Sequence, residues 1–126
     1  MPTQRQRRVN QLLQQEISGI ILAEIQDPQI GFVTVTGVEV SPDLGHAQVY
    51  VSVLGDENKT QETMAALRGA AYRFIRGRLA ERVALKHIPE LHFELDETAR
   101  HAQQIEMLLH QVDEEWTDED EPHDDQ

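Results

Sequence analysis

The sequence predicts an α+β domain in which helices back a small sheet. Three observations predict it: an opening stretch with apolar residues at helical spacing, two alternating β-branched runs flanking a Pro/Gly turn, and a second helical stretch followed by a short third alternating run. The resulting order is helix, strand, strand, kinked helix, strand, helix. No internal repeat is visible.

The opening helix carries Val9, Leu12, Leu13, Ile17, Ile20, Ile21 and Ile25 on one face, with Gln and Glu between them. It should stop at Asp27-Pro28, because the residue before a proline is pushed out of the helical region. In the strand from Phe32 to Val40 the apolar parity shifts from Val33 and Val35 to Val38 and Val40 across Gly37, as a β-bulge produces. Ser41-Pro42-Asp43-Leu44-Gly45 is a turn by composition, with Gly45 free to take positive φ. Ala47, Val49, Val51 and Val53 then share one face of a second strand, and Gln48, Tyr50 and Ser52 the other, so the two strands pair as a hairpin.

A polar loop at residues 55–59 leads to Thr60, the expected N-cap of a helical stretch whose Met64, Leu67, Ala71, Phe74 and Ile75 face the core. The pattern continues through Leu79 and Val83 to Leu85. Gly69 and Gly77 lie inside it and each costs about 1 kcal/mol against Ala, so a kink belongs near one of them. Pro89 closes the unit, and Leu91, Phe93 and Leu95 alternate as the third strand. Asp96 or Thr98 can cap a last helix carrying Ala102, Ile105, Leu108, Leu109 and Val112. The domain is expected to span residues 1–112, with an acidic disordered tail at 113–126.

The 126 residues are enough for one core without a staple, and the absence of cysteine excludes disulfides, thiolate zinc sites and a cysteine nucleophile. No apolar run approaches the roughly 20 residues of a membrane span, and the N-terminus is polar and basic. A soluble, cytoplasmic protein with no membrane partner is expected.

The net charge of −12 argues against a nucleic-acid partner only until its distribution is considered. Residues 113–126 hold nine acids and no Lys or Arg, which leaves 14 acids against 11 bases in residues 1–112. Within that body, Met1 to Arg8 contains Arg5, Arg7 and Arg8 and no acid. Arg68 to Lys86 contains Arg68, Arg73, Arg76, Arg78, Arg82 and Lys86 against the single Glu81.

None of the serines Ser18, Ser41 and Ser52 sits in a G-x-S-x-G elbow, and neither phosphate-cradling glycine motif occurs, so no catalytic residue and no cofactor are predicted. The histidines at 46, 87, 92, 101, 110 and 123 follow no zinc spacing and read as scattered surface residues, so no metal is predicted. Arg78, Arg82 and Lys86 recur every four residues and form one helical stripe, a pattern that suits a phosphate backbone as well as a solvated face. Arg5, Arg7 and Arg8 form a flexible arm able to add phosphate contacts. Tyr72 can stack on a base but is more simply a packing residue. The tail is a solubilising end or a competitor with RNA for the stripe. All nine basic residues of the two clusters are candidate RNA contacts.

Glu24-Ile25-Gln26-Asp27-Pro28-Gln29-Ile30-Gly31, the run Val33-Thr34-Val35-Thr36-Gly37-Val38-Glu39-Val40-Ser41-Pro42-Asp43-Leu44 with Ala47-Gln48-Val49-Tyr50-Val51-Ser52, and Ile88-Pro89-Glu90-Leu91-His92-Phe93 stand in an order that closely resembles the bacterial ribosome-binding factor A family. The resemblance covers about Arg5 to Val112. It implies a KH-like (type II) fold with a three-stranded sheet packed against helices, including a kinked helix pair. It implies a monomer that binds 16S rRNA in the free or immature 30S subunit and assists late 16S rRNA maturation, including 5′-end processing, without catalysis. A partner GTPase that promotes release is implied as well. The family places an Ala-x-Gly kink between its two central helices, whereas this chain reads Gly69-Ala70-Ala71-Tyr72-Arg73 and lacks the glycine at the nearest match, Ala71-x-Arg73. Two other readings fit the residues: a KH-like RNA-binding regulator not tied to ribosomes, and a protein-interaction adaptor working through the last helix and tail.

Overall fold

In the computed structural model, which describes residues 1–98 together with 105, 108 and 109, six elements follow in the order helix, strand, strand, helix, helix, strand. They are α1 (Gln4–Glu24), β1 (Phe32–Val40), β2 (His46–Leu54), α2 (Glu57–Arg68), α3 (Tyr72–Arg82) and β3 (Glu90–Leu95). The chain divides into two units, Met1–Asp96 and Glu97–Gln126. These six elements lie in the first. The predicted last helix and the acidic tail fall outside the described residues, apart from Glu97, Thr98, Ile105, Leu108 and Leu109, whose backbone is helical.

The sheet order is β1-β2-β3, antiparallel between β1 and β2 and parallel between β2 and β3. The expected bulge is present: Val35 pairs with Val51 but Gly37 with Tyr50, so Thr36 is the extra residue. This slip turns Val33, Val35, Val38 and Val40 onto one face, where Ala47, Val49, Val51, Val53, Leu91 and Phe93 join them. Leu13, Ile17, Ile20, Leu67, Ile75 and Leu79 cover that face from the helices and are fully buried. The other face of the sheet carries His46, Gln48, Tyr50, Ser52, His92 and Glu94, which are half-buried or exposed.

As the edge strand, β1 presents polar backbone groups that need partners, and α1 supplies them from a stripe with a period of four. Gln6 Nε2 donates to the Val40 carbonyl (3.2 Å), Asn10 Oδ1 accepts from Val40 N (2.8 Å), and Gln14 Nε2 donates to the Val35 carbonyl (3.4 Å). Buried Thr63 ties α2 to the loop after α1, accepting from Gly31 N at 3.0 Å.

Several sequence expectations change in detail. Arg5, Arg7 and Arg8 are not a flexible arm: α1 begins at Gln4, where Thr3 and Gln6 form a reciprocal capping box. The second helical stretch is capped by Asp56 rather than Thr60, because the Asp56 carboxylate accepts from Lys59 N at 2.8 Å. The kink is a full break at residues 69–71, and a Cβ at Gly69 would sit 3.0 Å from the Ala65 carbonyl. In the hairpin turn the left-handed residue is Leu44 (φ 60°), not Gly45. Phe74 is 44% exposed rather than in the core, because the break turns α3 until only Ile75 and Leu79 point inward.

Candidate nucleic-acid interface

Ending α3 at Arg82 dissolves the predicted stripe. Val83 caps the helix in extended backbone, so Lys86 lies beyond it and no longer stacks above Arg78 and Arg82. Those two arginines turn toward α1. Arg78 binds Glu24 and Glu81, the latter at 2.8 Å, while Arg82 binds Glu24 and Glu16, the latter at 3.2 Å. Gly19 makes room on α1, since a Cβ there would stand 3.3 Å from the Arg82 guanidinium. Hydrogen bonding from Arg78 and then Arg82 holds the Glu24 carboxyl below its ordinary 4.5, against the opposing effect of burial. Glu16, with help from Glu24, raises the Arg82 pKa in return. The predicted centre of the basic face is therefore a charge-compensated lock between α1 and α3.

The opposite side of α3 is different. Arg73, Arg76, Gly77 and Ala80 follow the 3-and-4 spacing of a single helical face and, with Tyr72 and Ile88, line a groove of about 440 Å³. Among the described residues no acid lines it. Arg76 spends its hydrogen bonds on backbone carbonyls, Nε to Pro89 at 3.3 Å and the guanidinium NH2 to Ile88 at 2.6 Å, so it is held in place with no carboxylate partner among the described residues. Arg73 is exposed and makes no side-chain hydrogen bond or ion pair among the described residues. The floor is open at Gly77, where a Cβ would meet nothing within 4 Å. Tyr72 keeps its packing role: its hydroxyl accepts from Leu91 N at 3.0 Å and holds β3 against α3.

The remaining basic residues are dispersed. Arg68 clamps the Phe93 carbonyl through two donors (3.0 and 2.7 Å) and lies 3.9 Å from Glu94. Lys86 is exposed after α3. Arg5, Arg7 and Arg8 are exposed on the first turns of α1, with no acid in the first turn. Cations there oppose the helix macrodipole, which favours negative charge at that end. Sequence reading missed the division of the arginines into compensated and uncompensated sets, because Glu16 and Glu24 lie more than 50 residues before their partners. The Gly77/Ala80 pair at i, i+3 was the available signal for an open helix face.

Comparison with known proteins identifies the family. Residues 5–109 match the family model described as ribosome-binding factor A. A ribosome-binding factor A from Thermomicrobium roseum is 48% identical over 115 residues, covering 91% of this chain and 88% of that protein. The crystal structure of ribosome-binding factor A from Thermus thermophilus superposes with a TM-score of 0.64 at 28% identity, covering 71% of this chain and 93% of that one. A homology model of Thermus thermophilus ribosome-binding factor A, fitted into a cryo-EM map of its complex with the 30S subunit, matches with a TM-score of 0.56 at 29% identity, covering 68% of this chain and 88% of that one.

Proposed function

The chain belongs to the ribosome-binding factor A family, and on that premise we infer its role: it is a small-subunit assembly factor that binds the immature 30S particle. It assists late maturation of 16S rRNA, including the 5′ end, and works in the cytoplasm. It does so without catalysis. A binder promotes assembly by favouring one rRNA conformation over another, and only the difference in affinity between the two does work. Release then needs a later event, a role suited to a partner GTPase.

The observation that carries the reading at residue level is the groove on α3, which among the described residues has no acidic lining, holds Arg76 braced on two carbonyls and leaves Arg73 unpaired. Phosphates seated there would release counterions, and the small side chains at Gly77 and Ala80 let a sugar-phosphate strand approach the helix. Arg5, Arg7, Arg8 and Lys86 add exposed charge at the periphery, and Arg68 borders β3. Arg78 and Arg82 contribute by fixing α3 against α1.

Sucrose-gradient sedimentation of lysate tests the role, read together with mapping of the 16S 5′ end in cells lacking the chain. The expected result is co-migration with free 30S subunits and accumulation of 5′-extended 16S rRNA in the deletion strain. A chain that stays at the top of the gradient in low salt, with normal 5′ ends in its absence, would contradict it.

A further inference from the structure

On the face of the sheet away from α1, α2 and α3, we propose that His46, Glu90 and His92 form a binding site for a divalent transition-metal cation of the Zn²⁺ class. Parallel pairing of β2 with β3 creates the cluster: His46 stands opposite Glu90, and His92 follows Glu90 by two residues on the same face. The three donor atoms converge. His46 Nδ1 is 3.0 Å from His92 Nε2 and 3.7 Å from Glu90 Oε1, and His92 Nε2 is 3.4 Å from the same oxygen.

These separations match a coordination shell. Zinc–nitrogen and zinc–oxygen bonds of about 2.0–2.1 Å in a tetrahedron put ligand atoms roughly 3.3–3.4 Å apart, and the three observed edges bracket that value. Two imidazole nitrogens with one carboxylate oxygen suit Zn²⁺, Co²⁺ or Ni²⁺ and disfavour the oxygen-seeking Mg²⁺ and Ca²⁺. Without a cation, the two facing ring nitrogens can share only a single proton between them; a metal engages both lone pairs at once. The histidine rings are stacked at 5.2 Å with their planes 26° apart. Side-chain exposure of 59% for His46 and Glu90 and 35% for His92 leaves the remaining coordination positions to water.

The backbone beneath two of the ligands is also braced before any metal arrives. His46 N donates to Ser41 Oγ (3.0 Å), Ser41 Oγ donates to Asp43 Oδ1 (2.7 Å), and the same carboxylate oxygen accepts from Gly45 N (2.9 Å). Gly45 in turn offers its carbonyl to Glu90 N at 2.9 Å, which sets Glu90 beside His46. Such bracing lowers the ordering cost of binding. A cation here joins strands that are separated by 35 residues of chain, and because the unfolded chain lacks the site, binding raises folded-state stability with metal concentration. The site uses the face of the sheet opposite the helices, so it stands whether or not the α3 groove contacts RNA.

Titration of metal-stripped full-length protein with ZnCl₂ by calorimetry, with CoCl₂ absorption as a second probe, tests the proposal. The expected result is a saturable one-equivalent phase, a rise in melting temperature with Zn²⁺, and amide shifts centred on residues 46–47 and 90–92 in NMR spectra. In H46Q/H92Q the unliganded melting temperature should be kept and affinity for that phase reduced about tenfold or more. Absence of the phase in the natural chain overturns the proposal. So does its persistence in H46Q/H92Q with equal stoichiometry and affinity, which would assign the metal to other histidines or to the acidic segment.

Discussion

Arg78 and Arg82, on one side of α3, meet the carboxylates of Glu16, Glu24 and Glu81; Arg73 and Arg76, on the opposite side, meet none among the described residues. All four belong to the same basic run. Opposite charge within hydrogen-bonding reach converts an arginine into a fastener, whereas an arginine braced on carbonyls or left free keeps its field for a ligand. Positive charge along a helix is therefore poor evidence of a binding face until its partners are known.

The most drastic way to break the comparison is to remove the platform under both sides. Leu79 is fully buried on the inward face of α3, and Leu79→Ala should cost about 2–5 kcal/mol, read as a lower urea midpoint with an unchanged m-value. Next in size, Arg73→Glu should weaken 30S binding about tenfold in low salt while leaving the thermal melt unchanged, since Arg73 has no partner to lose among the described residues. Binding assays and melts of the same preparation check both halves.

A subtler change separates helix stability from access. Gly77→Gln should stabilise α3 by up to about 1 kcal/mol through helix propensity, because a Cβ there meets nothing within 4 Å, yet fill the groove floor and weaken 30S binding. A melt that rises while affinity falls is the expected signature. The smallest effect lies on the compensated side. The Glu24 carboxyl is held low by Arg78 and Arg82, so its contribution is complete above its ordinary 4.5 and is lost as pH falls through the depressed value. Glu24→Gln should flatten that acid limb of the stability profile. It should also raise 30S affinity slightly in low salt, by exposing charge on Arg78 and Arg82.

Much of the fold was legible because its signals are local. The alternation in β1 with its slip at Gly37, the pattern of β2 and the short β3 follow from neighbouring residues, and family resemblance supplied the topology. The break near Gly69 was legible as a kink, but its extent was not: helical spacing from Met64 to Leu85 reads almost continuously, and only tertiary packing ends α3 at Arg82. Phe74 illustrates the consequence, since periodicity carried across the break assigns it to the core.

The candidate interface was less legible than the fold. The basic residues were visible by composition, but which of them are compensated depends on contacts between α1 and α3 across more than 50 residues. The His46–Glu90–His92 cluster escaped spacing rules for the same reason: parallel strand pairing joins residues that no short motif links.

The salt dependence of 30S binding tests the central claim most directly, measured for the natural chain, Arg73→Glu and Arg78→Gln/Arg82→Gln. Each phosphate contact contributes about 0.7–0.9 to the slope of log K against log salt. The account predicts a slope shallower by about one unit for Arg73→Glu and an unchanged slope for the folded Arg78→Gln/Arg82→Gln protein. A shallower slope in the second variant with none in the first would contradict it and return the binding role to the compensated arginines.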